Sequence, residues 1–374
     1  MFLQKLTLAN FKNYPAAELQ MSPKINCFIG NNGVGKTNLL DAIHYLSFCK
    51  SYFNAVDSQN VRHDESFFAI HGMYHKNGDK TDLISCVQKL NHKKQFKLNR
   101  KDYERLADHI GLFPLVMISP YDRDLINEGS DIRRKFLDAV ISQFDKNYLY
   151  DLINYNKALT QRNSLLRQFS ENHFFDPDLL DIWNEQMKPL ANNIYQQRKA
   201  FIKDFIPIFQ DYFDFISGGK EQVSIKYISH LDEENIDDLF SSSLEKDRAL
   251  RYTSAGIHKD DLEFRIFDYP IKKFGSQGQQ KSFVIAIKLA QFEYTKIIKG
   301  FKPILLFDDI FDKLDDNRVE QLIALVSKNS FGQVFITDTQ RHRIEHIFNT
   351  VDIDHKIFEI KDDAAFEVSN GKES

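Results

Sequence analysis

Residues Lys24 to Ile29 form an apolar run that meets Gly30-Asn31-Asn32-Gly33-Val34-Gly35-Lys36-Thr37, and a helical pattern then runs from Thr37 to Phe48. A strand, a glycine-rich turn and a helix in that order leave the chain few folds to choose from. The spacing G-x-x-x-x-G-K-[ST] reads as a phosphate-binding loop. Its glycines let the backbone turn without Cβ clashes, so that successive N–H groups converge on one phosphate. The start of the following helix adds partial positive charge. Lys36 is placed to reach the β- and γ-phosphates of a nucleotide, and the Thr37 hydroxyl to take one position on Mg²⁺. A glycine-rich turn matching by chance would lack the setting seen here, with Leu39, Leu40, Ile43 and Leu46 at helical spacing immediately after it.

The rest of the chain narrows the class further. At 374 residues it can bury one large core or two medium ones, and no apolar stretch is long enough to span a bilayer. Met1 to Asn10 alternate as a strand does and lack the apolar segment of a signal peptide. Cys27, Cys49 and Cys86 share no metal-ligand spacing and cannot all pair, which fits a reducing cytoplasm. A net charge of -4 argues against a generally basic nucleic-acid binder, so any such contact is regional.

Strand-like segments open the chain at Phe2 to Leu8 and Ala17 to Met21. After the loop helix, Ser66 to Tyr74, Asp82 to Lys89 and Gln95 to Leu98 read as an antiparallel sheet, with Asn77-Gly78 as a hairpin turn, and Leu115 to Ile118 as a buried strand. From Asp131 to Ile216 the spacing is helical, and Pro177, Pro189 and Pro207 are expected to divide it into several helices. Strands are expected again at Gln222 to Ile228 and Leu262 to Phe267, with a helix over Leu231 to Lys246. The sequence thus divides at residues 1–125, 126–220 and 221–374 into a head, a helical lobe and the remainder of the head.

A second group of motifs lies toward the C-terminus. Ser276-Gln277-Gly278-Gln279-Gln280-Lys281 leads into a long helix, another place for anions. Pro303 to Phe307 is an apolar strand ending in Asp308-Asp309. A carboxylate at the C-terminal edge of such a strand is where an open α/β sheet places ligand chemistry. Asp308 suits the second anchor of a magnesium shell, and Asp309 the base or water-orienting group of a hydrolysis. Thr337-Asp338-Thr339, after the strand Gln333 to Thr337, either presents a polar group near the γ-phosphate or is a simple turn.

In this order the motifs resemble the ABC-type ATPase head of the SMC superfamily, and within it the RecF family of bacterial recombination and gap-repair ATPases. The family features are Leu8-Ala9-Asn10-Phe11-Lys12-Asn13-Tyr14, Arg133-Arg134-Lys135-Phe136-Leu137-Asp138, His258-Lys259-Asp260-Asp261-Leu262, the signature from Ser276 to Lys281, and Phe307-Asp308-Asp309 with Leu314-Asp315. The resemblance implies an α/β head with a mixed sheet and an inserted, mainly helical lobe. It also implies that two heads clamp two ATP molecules, each held by one subunit's loop and capped by the other's Ser276, Gln277, Gly278 and Gln279. ATP would then drive dimerisation on DNA, at gaps and duplex to single-strand junctions, and slow hydrolysis would release it. RecO and RecR are the implied partners, and RecA loading the implied outcome.

Several positions depart from the family pattern. Ile257 and Lys259 replace the usual proline and arginine, removing a rigid turn residue and a bidentate donor. Asp309 is shorter than the glutamate of many ABC ATPases, which points to slow hydrolysis, and the usual basic stretch near Lys50-Ser51-Tyr52-Phe53-Asn54 is reduced. Two basic groups are candidates for DNA phosphate: Arg133, Arg134 and Lys135, otherwise engaged with Asp131 and Asp138, and Lys89, His92, Lys93, Lys94 and Lys97, otherwise a soluble hairpin tip. A transporter ATPase subunit shares the head motifs but needs a membrane partner. A P-loop kinase shares the loop but has no need of the signature. A structural SMC protein needs a long coiled coil, for which there is no room.

Overall fold

In the strand Phe2–Phe11, buried Leu6 and Leu8 alternate with outward residues, and Leu3 joins them across a register shift between Leu3 and Lys5. Such alternation makes a sheet with one covered face. The computed structural model, which describes residues 1–76, 80–219, 221–310, 331–342, 344 and 353–368, places this strand in a six-stranded antiparallel sheet. The sheet runs in the order Tyr14–Gln20, Phe2–Phe11, Phe67–His75, Thr81–Lys89, Gln95–Leu98 and Lys101–Asp102. The expected Asn77-Gly78 turn lies outside the described residues, as do Leu314 and Asp315.

A second sheet follows the opposite rule. Ile25–Ile29, Leu115–Ile118, Ile304–Phe307 and Val334–Asp338 are buried at every position, as parallel strands covered on both faces must be. The order is Ala364–Val368, His355–Lys361, Ile25–Ile29, Val334–Asp338, Ile304–Phe307, Leu115–Ile118, and only the first of these runs antiparallel to its neighbour. Parallel strands end together, so Gly30, Asp308, Ser119 and Asp338 gather along one edge. Gln333 ties this sheet to the first: its side-chain amide accepts from Leu3 N at 2.7 Å and donates to Leu3 O and Ser22 O, each at 2.8 Å. Together Met1–Asp122 and Gln291–Ser374 make one compact unit.

Residues 123–290 make the other unit. Its helices include Ser130–Ser142, Lys146–Glu171, Pro177–Ser217 and Ile236–Leu250, with a three-stranded antiparallel sheet ordered Tyr269–Pro270, Asp261–Ile266, Val223–Ile228. The sequence groups residues 221–290 with the head, whereas contacts group them with these helices. The reason is aromatic packing: Phe283 lies 4.8 Å from Phe209 and 5.1 Å from Phe264 between ring centroids.

The prolines correct one expectation. Pro177 begins a helix, but Pro189 and Pro207 lie inside the single helix Pro177–Ser217 and do not end it. Both sit on its exposed side, so the carbonyls of Glu185 and Lys203 that lose their helical donors face water. On the opposite side Leu180, Met187, Ala191, Ile194, Phe201, Phe205, Phe209 and Phe213 form one buried stripe that passes both prolines. Burial of that stripe outweighs two missing hydrogen bonds.

Candidate nucleotide site

The loop after Ile25–Ile29 depends on two glycines whose surroundings admit no side chain. Gly30 has φ 151° and Gly35 φ 104°. A Cβ on Gly30 would stand 2.6 Å from the Ile360 carbonyl oxygen, and one on Gly35 2.4 Å from Asn13 Nδ2. Lys36 opens the helix Lys36–Phe48 and is 4% exposed. Its Nζ donates to the carbonyls of Gly30 at 2.8 Å and Asn31 at 3.0 Å, so the ammonium is folded back over the loop. Two of its three donors are thereby engaged with groups that a phosphate would replace.

Thr37 joins the loop to the neighbouring strand end. Its Oγ1 donates to Asp308 Oδ1 at 2.7 Å. Burial raises the Asp308 carboxyl to about 6; the Thr37 hydrogen bond opposes the rise and the negative charge of Asp309 adds to it. Asp309 has φ 43°, a left-handed conformation uncommon outside glycine. Thr337 holds it there. The Asp309 N–H donates to Thr337 Oγ1 at 2.7 Å, and that hydroxyl lies 3.1 Å from Asp308 Oδ1 and 3.2 Å from Asp309 Oδ1. Having one proton, it serves one carboxylate at a time. Thr337 is therefore a brace beneath the acidic pair, and Asp338 Oδ1 accepts from Gln340 N at 2.6 Å as in a turn.

The signature lies in the other unit, at the head of the helix Gln277–Lys299. Ser276 N donates to Gln279 Oε1 at 2.7 Å and Gln279 N to Ser276 Oγ at 3.2 Å, a reciprocal capping box. Gln279 also donates through Nε2 to Glu221 at 3.0 Å, so both ends of its amide are engaged, one in the cap and one outside it. Ser276 and Gln277 are exposed and Gly278 half-buried, which leaves the start of this helix at the surface as an anion-accepting end.

The chain matches the family model described as the RecF/RecN/SMC N terminal domain over residues 2–360. It is 53% identical to the DNA replication and repair protein RecF of Flavobacterium johnsoniae, over 96% of this chain and all of that one. The chain belongs to the RecF family. The RecF of Phocaeicola vulgatus is 50% identical over 97% of both chains. A solved structure of the recombination mediator protein RecF with ATP, in the RecFOR pathway, superposes with a TM-score of 0.88 at 30% identity and 98% coverage of each chain. The Smc head domain of Pyrococcus furiosus, at 17% identity and a TM-score of 0.56, shares the fold. RecF proteins are ABC-type ATPases of DNA replication and repair, and the expected ABC/SMC head with an inserted helical lobe is the fold observed.

Two RecF-family motifs have structural duties that the sequence does not reveal. Arg133 donates to both oxygens of Asp261, at 2.6 and 3.0 Å, and to the carbonyls of Leu125 and Glu128; Arg134 donates to the Asp260 carbonyl at 2.7 Å. Their hydrogen bonds hold the His258 to Leu262 segment instead of going to Asp131 and Asp138, and Lys135 makes the ion pair with Asp131, at 3.6 Å. In the second basic group Lys94 points inward, to Asp57 at 2.7 Å and Tyr45 Oη at 3.0 Å. The Asn13-Tyr14 pair of the opening motif meets the loop: Asn13 Nδ2 donates to the Val34 carbonyl at 3.1 Å and Tyr14 Oη to that of Gly35 at 3.1 Å. Burial and then the charge of Asp363 push the Tyr14 hydroxyl above its usual range, keeping it a neutral donor.

Proposed function

We propose that the chain is an ATP-gated DNA clamp of recombinational repair and replication-gap processing. The observation that carries this is the 2.7 Å contact of Thr37 with Asp308, 271 residues apart, which joins the phosphate loop to the acidic strand end as nucleotide hydrolysis requires. Residues Gly30 to Thr37 bind the phosphates of ATP, with Lys36 turning from its own loop to the β- and γ-phosphates. Thr37 and Asp308 are hard oxygen donors, and a buried carboxylate beside a second carboxylate favours a cation. They would hold Mg²⁺, which when bound neutralises charge on the phosphates. Asp309 orients the attacking water and takes its proton.

Ser276, Gln277 and Gly278 cap the γ-phosphate held by a second copy, so ATP joins two heads on DNA and hydrolysis frees them. Gln279 supports that cap from within. Gapped duplex and single-strand junctions are the DNA class, RecO and RecR the partners, and RecA loading the outcome; the ATP-bound relative, a recombination mediator of the RecFOR pathway, supports the pairing with RecO and RecR. The cytoplasm is its proposed location. No described helix is long and apolar enough to cross a membrane.

The test is the solution mass without nucleotide, with ADP and with ATP plus Mg²⁺, each with and without gapped duplex. ATP is expected to double the mass, and Lys36→Met and Ser276→Arg each to abolish the change. A wild-type chain that stays monomeric while turning over ATP would defeat the clamp.

A further inference from the structure

Two hairpin turns from opposite ends of the chain meet at the phosphate loop. One is Lys12-Asn13, between the paired residues Phe11 and Tyr14; the other is Asp362-Asp363, between Lys361 and Ala364, with φ of 50° and 58°. The Asn13 side chain is their joint. Its Nδ2 donates to Val34 O at 3.1 Å and to Asp363 Oδ1 at 2.8 Å, while its Oδ1 accepts from Asn38 Nδ2 at 2.7 Å. All three polar contacts converge on the residue that a Cβ at Gly35 would strike.

Peptide geometry gives these contacts a consequence for the nucleotide. In a trans peptide the carbonyl and the N–H point in opposite directions. Asn13 holds the Val34 carbonyl on the outer side of the loop, so the Gly35 N–H is aimed to the other side. Tyr14 Oη holds the next carbonyl, that of Gly35, and so steadies the Lys36 N–H. Neither side chain need touch the ligand to set the direction of two donors.

We propose that Asn13, buttressed by Asp363, is a positioning residue that turns the Val34-Gly35 peptide so that its N–H faces the phosphates of the bound nucleotide. This rests on the nucleotide reading of the loop. The contact of Asp363 with the Asn13 amide makes the two residues one device although 350 positions separate them. Lys36, Asp308 and Asp309 are untouched by it, so the device governs binding and not the chemical step.

The experiment measures KM and kcat for ATP hydrolysis, and ATP binding by calorimetry, on the full chain carrying Asn13→Ala, Asp363→Ala, Asp363→Asn or both alanines. Asn13→Ala is expected to raise KM and Kd about tenfold, the scale of one lost hydrogen bond, with kcat held within about threefold. The double alanine variant should be no weaker than Asn13→Ala alone, and Asp363→Asn, which keeps an acceptor oxygen, should match the wild type. Melting temperatures without nucleotide separate misfolding from the effect; if Asn13→Ala melts early, the contrast between Asp363→Ala and Asp363→Asn decides. Wild-type affinity in both alanine variants, or losses that add in the double variant, overturns the device alone. A wild type that binds no ATP overturns the nucleotide reading and the device with it.

Discussion

Asp309→Asn is expected to leave ATP bound and to slow its hydrolysis by about 10² to 10⁴-fold, the range of a lost general base. Asparagine suits the test for two structural reasons. It is among the few residues other than glycine that accept the left-handed conformation Asp309 adopts at φ 43°. Its side-chain oxygen can also keep the contact with Thr337 Oγ1, now 3.2 Å from Asp309 Oδ1. What it loses is the capacity to take a proton from water. Single-turnover hydrolysis beside equilibrium binding separates the two effects, and the ATP-bound dimer should accumulate. Hydrolysis at the wild-type rate would remove Asp309 from the role of base.

Asp308→Asn is expected to abolish Mg²⁺-dependent stabilisation by ATP and, without nucleotide, to make the protein more stable at pH 7.5. The gain follows from the direction of the Asp308 shift, which burial drives up to about 6. An unfolded aspartate ionises near 3.9, so between roughly pH 4 and 6 the folded state retains a proton that the unfolded state has lost. Stability from this group is therefore present below about pH 4 and is lost as pH rises through 6; above that the buried charge costs about 3 kcal/mol. Asparagine carries no charge at any of these pH values. Its melting temperature should exceed the wild type's by several degrees at pH 7.5, at about 2–4 °C per kcal/mol, and the gap should close toward pH 4. Thermal melts across that range, with and without MgATP, are the measurement. A variant less stable than wild type at pH 7.5 would mean that the Thr37 and Thr337 contacts need the charge.

Much of this site was legible because motif spacing and strand burial are local properties. Gly30 to Thr37 announces itself by residue type, and Asp308-Asp309 by the apolar run before it. Thr337 did not, because a threonine closing a buried strand looks the same whether it faces a phosphate or braces two carboxylates. The partners of Arg133 and Arg134 were hidden for a related reason: the sequence offers Asp131 and Asp138 nearby, and only the fold brings Asp260 and Asp261 against them. The prolines of Pro177–Ser217 show propensity yielding to burial, since their exposed side is visible only once the stripe on the opposite side has a partner. Asn13 was recognisable as a motif member, yet its contact with the loop depends on a hairpin turn built from residues at the far end of the chain.

Gln333 fixes the order in which the head can be completed. The backbone of Leu3 has its amide partner only when residue 333 is present, and Thr37 its carboxylate only after residue 308. On a ribosome adding about 5–20 residues each second, the first strand waits roughly 17–66 s for that partner. Residues 123–290, by contrast, contain both sides of their own core and are whole before the head is. The nascent chain thus carries its phosphate loop early, but Thr37 meets Asp308 only in chains whose synthesis is nearly finished.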